Sequence, residues 1–510
     1  MSSQSASSAA ASAASHQFLG HPRGLVTLFM TEFFERFTYY GMRALLVLFL
    51  VATTSAVNPG FGMDREAAGA IYGLYTGAVY LFGLPGGWIA DRLIGQRSAI
   101  FWGGIIITVG NFILALPASP TVFYLGLAVI VIGVGLLKPN ISAIVGGLYE
   151  GQPGARRDAG FSIFYMGINL GAFVAPLIAG TIGEGWNWRL GFFCAGLAMA
   201  VGVIQFKLTE RYLGTVGAAP RGVSDVDRRR GWQWVAIGST ALIAAALLVF
   251  LRVIPVTVTV LAEVFQWSMI AIASVFFGYV LFFAGLSREE RLRVCVIGVF
   301  FLCSAVFWAG FEQQATTFNL FAVDYTDRSL LGGWFPEGVH PASWYQSVNP
   351  VCIVLFAPFF AWLWVALAKR NLDPSAPLKF GLGLLLLGVG FLVMVFAAEL
   401  VLASGNDVLP TWLLLAYLLH TFGELCLAPV GLSNITKLAP PRFAGQMMGT
   451  WFLGLAIGNL LAGRIGGEIS AADVSELPGK LMTMTLIGAG AGLVMIVCAR
   501  WTRSWMGGIR

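Results

Sequence analysis

The sequence has few charged residues: Asp, Glu, Lys and Arg make up 11% of its 510 residues, whereas 57% are hydrophobic and the mean hydropathy is +0.79. So little charge excludes an ordinary soluble domain, in which about 25% of residues are charged. Cysteine and histidine are also scarce, with six and four residues, and they form no CxxC pair and no cluster at metal-ligand spacing. Neither a metal site nor a disulfide framework is therefore expected.

Short catalytic and nucleotide-binding motifs are missing as well. The sequence contains no HExxH, no GxSxG and no GxxxxGK[ST], the patterns of metalloproteases, of α/β-hydrolase nucleophiles and of phosphate-binding loops. A membrane-embedded enzyme is thus disfavoured and remains only an alternative. No cofactor is expected, and an ATP-driven mechanism is excluded in favour of an ion gradient.

What the sequence has in abundance is apolar runs of about 20 residues, the length that a helix needs to cross a hydrocarbon core of about 30 Å. Because lipid offers no partner to an open strand edge, these runs are expected to be helices and the protein to be all-α. The predicted spans, fourteen in all, are 25–51, 68–93, 98–117, 121–146, 159–183, 188–207, 232–251, 258–285, 291–322, 343–369, 378–403, 409–437, 442–466 and 478–502.

The spans suggest a domain order of six helices, an inserted pair and six more. The expected segments are a disordered cytoplasmic tail (1–22), an N-terminal bundle (23–208), a cytoplasmic linker (209–231), the inserted pair (232–287) and a C-terminal bundle with its tail (288–510). Most of the 31 Lys and Arg residues fall in alternate loops and in the tails, which places both termini in the cytoplasm. The basic excess therefore orients the protein, and no nucleic acid partner is expected.

A few charges lie inside spans, where an unpaired charge costs at least about 2.5–3.5 kcal/mol at the bilayer centre. In the first span, Glu32, Glu35, Arg36, Tyr39 and Arg43 follow one another at i, i+3, i+4, i+7 and i+11, so they form one polar stripe on the helix. Such a stripe faces either other protein or a water-filled cavity. A purely structural ion-pair zipper is the alternative interpretation.

The two halves carry unlike buried charges: Arg36, Arg43 and Lys138 precede the inserted pair, and Glu312 and Glu424 follow it. A cavity between the halves would then have one basic and one acidic wall. A zwitterion several ångströms long fits that field better than an amino acid or a solute of single charge. The charges therefore favour a short peptide with free termini as the ligand.

Several segments closely resemble a known family. Residues 32–41, Glu-Phe-Phe-Glu-Arg-Phe-Thr-Tyr-Tyr-Gly, resemble the ExxERFxYYG signature of proton-dependent oligopeptide transporters, a branch of the major facilitator superfamily. Residues 86–92, 137–140 and 164–171 look like further segments of the same family. Together with Phe307-Trp308, Glu312, Gly423-Glu424-Leu425 and Trp451, the resemblance covers almost the whole chain, and the inserted helix pair is typical of bacterial members.

The resemblance implies a major facilitator fold of two six-helix bundles and a monomeric proton symporter in the bacterial inner membrane, importing di- and tripeptides by alternating access. It also implies residue roles. The positions that match residues holding the peptide carboxylate and backbone are Arg36, Tyr39, Tyr40, Arg43, Tyr80 and Lys138; those that match groups around the amino terminus are Asn169, Asn349 and Glu424; Trp308 and Trp451 match aromatics that line side-chain pockets.

Proton coupling is expected to rest on carboxylates, because neighbouring cations decide whether a buried acid keeps its proton. The hypothesis is that Glu312, itself counted among the peptide-binding residues, pairs with Arg43 in one state and is protonated in another. Glu32 and Glu35 would exchange partners between Arg36 and Lys138. His420, the one intramembrane histidine, is assigned to packing or gating.

Two other functions remain open. Relatives of this family in plants move nitrate and other solutes, and a peptide sensor would keep the pocket while losing coupling. The intact ExxER motif together with Glu424 favours peptide. The inserted pair is expected to pack at the periphery and to take no part in transport.

Overall fold

The computed structural model describes residues 17–18, 20–117, 119–152, 154–220, 224–250, 253, 255–335 and 338–507. Most of the predicted tail, residues 1–16 and 19, lies outside this set. Ordered structure begins earlier than that prediction allowed: Gln17–Phe18 (β1) pairs antiparallel with His21–Pro22 (β2). The hairpin is held by a hydrogen bond of 2.7 Å between His21 Nδ1 and the Tyr149 hydroxyl.

The remaining regular structure of the described chain is almost entirely helical. The helices within the predicted spans agree with those spans to within a few residues at most ends. They are α1 (Gly24–Val51), α2 (Arg65–Ile89), α3 (Gln96–Ala115), α4 (Pro120–Leu148), α5 (Gly154–Ala175), α6 (Thr181–Gly185), α7 (Trp188–Thr209), α8 (Asp225–Phe250), α9 (Val258–Phe282), α10 (Arg288–Phe311), α11 (Thr317–Asp324), α12 (Val348–Lys369), α13 (Ala376–Ser404), α14 (Thr411–Leu438), α15 (Ala444–Ser470) and α16 (Leu477–Trp505).

Among the described residues, 13 helical segments are long and apolar enough to cross a membrane. The helix α1, with 28 residues, is also long enough, but Glu32, Glu35, Arg36 and Arg43 interrupt its apolar length. These segments and α1 correspond to the fourteen predicted spans. The prediction of an all-α protein that crosses the membrane many times is confirmed.

The helix α8 begins at Asp225, whereas its span was predicted from residue 232. The first turns of α8, from Asp225, occupy a stretch assigned to the linker. Ser224 Oγ accepts a hydrogen bond of 3.1 Å from the Asp227 amide, and Asp225 and Asp227 place negative charge in the first turn. Both features stabilise a helix N-terminus. The helix therefore starts in a polar segment, before the apolar run on which the prediction relied.

The chain divides into two compact units. The first unit comprises Met1–Met42, Phe82–Ala179 and Arg189–Pro255, and the second comprises Arg43–Leu81, Gly180–Trp188 and Val256–Arg510. The helices α1 and α2 are therefore each divided between units. The predicted domain bounds follow chain order instead and stay a prediction.

Close helix packing in the first unit is clearest between α3 and α4. A Cβ atom placed on Gly103 would lie 2.7 Å from the Gly133 carbonyl oxygen, and one placed on Gly133 would lie equally close to the Gly103 oxygen. Because the hydrophobic effect does not drive helices together in lipid, such backbone approach is a main source of association.

In the second unit, α2 packs on α15 in the same manner. A Cβ atom on Gly69 would lie 2.8 Å from Gly467 Cα and still nearer the Gly463 carbonyl. The inserted helix α9 lies beside α15 as well, and Arg464 Nη2 donates to Glu263 Oε1 over 2.8 Å. These contacts join α2, α9 and α15 within one unit.

We predict that Gly69→Ala lowers the free energy of unfolding by about 1–3 kcal/mol, because the added methyl group overpacks the contact with α15. The measurement is SDS-induced unfolding of the purified protein in mixed micelles. Gly83→Ala on the same helix is the matched control, since nothing lies within 4 Å of its Cβ position. Equal destabilisation by both changes would contradict this account of the packing.

Candidate functional site

The first unit holds a buried cluster around Arg36. Its Nε lies 2.9 Å from Glu32 Oε1 and 2.5 Å from Glu35 Oε2, and all three side chains are at most 5% exposed. Tyr39 lies beneath the guanidinium, with its ring centre 5.5 Å from Arg36 Cζ. The half-buried Lys138 on α4 acts electrostatically on Glu32, so two carboxylates are balanced by two cations.

The local sequence explains this cluster. Glu32 and Arg36 are one helical turn apart, a spacing that brings side chains together on one face. Gly171 on α5 lets the neighbouring backbone approach, because a Cβ atom there would lie 2.9 Å from Arg36 Cβ. On the same helix, Asn169 is buried and donates to its own-helix carbonyl at Tyr165 over 3.0 Å.

The second unit holds the other charged residues of the predicted site. Arg43 Nη2 lies 2.7 Å from Glu312 Oε2, and both side chains are buried. Tyr72 on α2 donates from its hydroxyl to the same carboxylate oxygen over 3.2 Å. Its ring centre lies 5.9 Å from Arg43 Cζ. The predicted pairing of Arg43 with Glu312 is therefore present in this conformation.

Glu312 occupies a break in a helix. The helix α10 ends at Phe311, a 3₁₀ turn covers Glu312–Ala315, and α11 begins at Thr317. Interrupted helices in transporters expose backbone and side chains at binding sites. The break is fixed on one side by the Tyr417 hydroxyl, which donates to the Gln314 carbonyl over 3.1 Å.

On its other side, the same break is tied to α1. Asn319 on α11 donates from Nδ2 to the Ala44 carbonyl over 3.0 Å. Ala44 follows Arg43 directly, so this bond holds the backbone next to Arg43 against α11, the helix that follows the Glu312 turn. Both residues of the ion pair are thus positioned by a neutral polar contact next to them.

Glu424 lies in the same unit and belongs to a second polar group. Asn349 at the start of α12 donates from Nδ2 to Glu424 Oε2 over 2.9 Å and to Thr421 Oγ1 over 3.0 Å. Glu424 also interacts electrostatically with Glu312 and Arg43. The second unit therefore brings together one cation, two carboxylates and an amide.

The aromatic residues of the predicted site lie in packed surroundings. Trp308 is buried and meets Phe311 edge to face at 5.2 Å. Trp451 is buried beside Phe380, with ring centres 6.5 Å apart. Tyr80 packs against the apolar cluster that α9 forms with α15. The half-buried Tyr40 meets Tyr39 edge to face, with ring centres 5.3 Å apart.

The predicted site residues therefore fall into two groups. The first unit holds Glu32, Glu35, Arg36, Tyr39, Tyr40, Lys138 and Asn169, and the second holds Arg43, Tyr80, Trp308, Glu312, Asn349, Glu424 and Trp451. Arg43 was assigned to the basic wall and lies instead in the unit that contains the two acids. The roles of all these residues, and the expected cavity between the halves, stay predictions.

Sequence reasoning missed a carboxylate that holds a loop. Glu184 in α6 accepts hydrogen bonds from the amides of Ala342 and Ser343, over 2.8 and 2.9 Å. Beside it, Trp344 Nε1 donates to Thr181 Oγ1 over 2.9 Å. The signal in the sequence that could have indicated this residue is an acid at the end of a long apolar run. The neutral residues Tyr72 and Asn319 were missed too, because single polar groups in apolar helices are common and carry no comparable signal.

Comparison with known proteins gives one family. A family model described as PTR2: POT family matches residues 97–483. The chain is 42% identical over 492 residues to Peptide transporter YePEPT of Yersinia enterocolitica. The match covers 94% of this chain and 93% of that protein. It is 39% identical over 500 residues to the Di-/tripeptide transporter of Lactococcus lactis subsp. cremoris, with 97% and 98% coverage.

Solved structures agree with the sequence relatives. The structure of a peptide transporter POT in complex with sulfate is similar with a TM-score of 0.88 and 39% identity, covering 96% of this chain and 97% of the other. A POT family transporter in complex with 5-aminolevulinic acid is similar with a TM-score of 0.85 and 32% identity, covering 96% and 98%. The fold expected from the resemblance, that of major facilitator transporters, is confirmed.

The Arg43–Glu312 pair generates a prediction about stability. Glu312→Leu leaves a buried guanidinium that cannot lose its proton, so we expect a loss of about 3–5 kcal/mol in the free energy of unfolding. Arg43→Met removes the other member of the pair and should also lower the free energy of unfolding. The measurement is SDS-induced unfolding of the purified protein in mixed micelles.

The exposed pair Lys207–Glu210, 2.6 Å apart, is the control. Its removal by Lys207→Ala should change stability by at most about 1 kcal/mol. The double variant Arg43→Met/Glu312→Leu should recover part of the loss of Glu312→Leu. Strict additivity of the two single effects would argue against a direct interaction between the side chains.

Proposed function

The chain belongs to the POT family, and on that premise we propose that it is a proton-coupled symporter that imports di- and tripeptides by alternating access. It is a transporter and not an enzyme, and it crosses the membrane many times. Peptide is the cargo and the proton is the coupling ion, with no further cofactor. The observation that carries the proposal is the buried Arg43–Glu312 pair with Glu424 in electrostatic range.

Protonation of Glu312 supplies the coupling step. While Glu312 is ionised, it occupies the Arg43 guanidinium at 2.7 Å. A proton on the carboxylate removes most of that attraction and frees Arg43 to bind the carboxylate of a peptide, a charge-assisted and geometrically specific contact. Because the pair lies at a helix break, its opening also releases one tie between α1 and the segment Glu312–Ala315. Proton and peptide then bind with positive coupling.

Glu424 is the proposed anchor for the amino terminus of the peptide. Asn349 occupies one carboxylate oxygen, Oε2, and the remaining capacity of the carboxylate accepts hydrogen bonds from an ammonium group. The cation Arg43 and the anion Glu424 belong to one electrostatic group, so a zwitterion satisfies both at once. In the first unit, Arg36 is held by two carboxylates and becomes available only when one of them is protonated or moves to Lys138.

The comparisons support this assignment. The relative from Lactococcus lactis is named as a di-/tripeptide transporter and spans nearly the whole chain, and a solved relative binds 5-aminolevulinic acid, which also carries an amine and a carboxylate. The basic loops favour an orientation with both termini in the cytoplasm, and we place the protein in the bacterial inner membrane as a monomer.

The direct test is uptake of labelled dialanine into proteoliposomes, with and without an imposed pH gradient that is acidic outside. Symport requires accumulation that depends on the gradient. Binding of dialanine without uptake would indicate a sensor, and competition by nitrate would indicate a nitrate carrier. Hydrolysis of the peptide by the purified protein would favour an enzyme.

Glu312→Gln should abolish proton-driven accumulation of dialanine and leave exchange of peptide for peptide within about twofold of the original protein. The amide resembles a protonated carboxyl group and cannot release a proton, so only the coupled process is lost. Glu468→Gln, which changes an exposed acid, is the matched control and should keep both activities. Proton-driven accumulation that survived in Glu312→Gln would rule out this coupling site.

Glu424→Gln should raise the KM for dialanine at least about tenfold, because a charged contact to the peptide amine is lost. The original protein should discriminate strongly against N-acetyl-dialanine, and the variant should lose most of that discrimination. Glu399→Gln, an exposed acid on α13, should change neither value. If the variant kept full discrimination, the amino terminus of the peptide would have another partner.

A further inference from the structure

The helix α8 contacts the rest of the first unit at its amino end. Gly231 packs against the turn Ala90–Ile94 that follows α2: a Cβ atom on Gly231 would lie 2.6 Å from Leu93 Cδ2 and 3.4 Å from Trp88 Cη2. This close approach depends on the missing side chain. It brings the three arginines before Gly231 to the end of α2, where Arg92 lies.

Four arginines lie close to this contact in the chain: Arg92 directly precedes Leu93, and Arg228, Arg229 and Arg230 directly precede Gly231. All four are exposed, and within the described ranges no hydrogen bond or ion pair holds any of their guanidinium groups. Two nearby acids have other partners, since Asp227 accepts from the Ser224 hydroxyl over 2.7 Å and Asp91 accepts from Gln96 over 3.2 Å.

Two other basic residues of the first unit that are assigned to the cytoplasmic side, Arg97 and Lys207, have protein partners. Arg97 donates from Nε to the Val216 carbonyl over 2.7 Å. Lys207 pairs with Glu210. The four-arginine cluster therefore differs from these residues in carrying positive charge with no partner of its own.

Exposed tryptophans surround the cluster. Trp88, Trp232 and Trp234 are 41%, 47% and 68% exposed. Exposed tryptophan at the end of a membrane span is characteristic of the headgroup region, where its ring lies between hydrocarbon and water. Tryptophans at that level would bring the neighbouring guanidinium groups close to lipid phosphates.

The remainder of α8 shows what surrounds it. None of the residues in its apolar stretch is buried, so beyond the arginine cluster the helix presents an apolar surface that is open to acyl chains. A phospholipid beside α8 would contact the helix with its chains and the arginines with its headgroup. A soluble anion would use the charges and none of this apolar surface.

We propose that Arg92, Arg228, Arg229 and Arg230 form a binding site for the headgroup of an anionic phospholipid of the cytoplasmic leaflet. Clusters of basic residues directly next to a membrane span attract anionic lipids, and arginine binds phosphate through paired N–H donors. The lipid anchors the amino end of α8 against the turn Ala90–Ile94. The proposal assumes the cytoplasmic orientation given above and does not depend on the cargo or on proton coupling.

The test is retention of 1-palmitoyl-2-oleoyl-phosphatidylglycerol by the full chain, measured by native mass spectrometry after titration in detergent micelles. The variant Arg228→Gln/Arg229→Gln/Arg230→Gln should bind this lipid at least about tenfold more weakly. The control Lys369→Gln/Arg370→Gln/Arg442→Gln removes the same charge from exposed positions in the second unit and should bind as the original protein does. The charge-conserving Arg228→Lys/Arg229→Lys/Arg230→Lys should keep most of the affinity.

Two further arms identify the ligand. Phosphatidylcholine, which carries a phosphate without net charge, should bind the original protein at least about tenfold more weakly than phosphatidylglycerol. Inorganic phosphate at millimolar concentration should not displace the lipid, and displacement would make this a site for soluble phosphate. Equal loss in the glutamine variant and in the charge-matched control, or no loss in either, would overturn the proposal. Thermal unfolding of each variant verifies that the protein tested is folded.

Discussion

A charge held within a bilayer persists only where opposite charge or hydrogen bonds surround it, and the structure is organised by this constraint. Arg36 gathers two carboxylates from its own helix. Arg43, two turns further along α1, finds its carboxylate on a segment nearly 270 residues away in the sequence. The first interaction stabilises the local face of one helix, whereas the second fixes α1, α2 and the break after α10 in one arrangement.

The same constraint is the basis of the proposed transport mechanism. A buried ion pair contributes little net stability, because desolvation offsets much of the attraction, but it distinguishes sharply between protonated and ionised partners. The Glu312 carboxylate contacts both Arg43 on α1 and Tyr72 on α2. A proton on Glu312 therefore changes its contacts with both helices. A pair of hydrophobic residues of equal volume would pack as well and would respond to neither proton nor peptide.

The sequence was informative about most features that a single segment decides. Apolar length predicted the long helices, and helical spacing placed Glu32 next to Arg36. Capping by Ser224 was overlooked, and α8 consequently starts before its predicted span. Contacts between distant segments were harder: family resemblance and chemistry suggested Arg43 with Glu312, but nothing in the sequence pointed to Asn319 as the residue that holds the backbone next to Arg43 against α11.

The exposed length of α8 constrains its sequence in an unusual way. Because its apolar stretch has no buried residue, packing within the first unit constrains the shapes of these residues little beyond the turns around Gly231. Leucine, isoleucine, valine and alanine exchanged among those positions would meet the same apolar surroundings. The order of residues along this stretch therefore matters less to the fold than their composition, whereas the close contact at Gly231 depends on one particular residue.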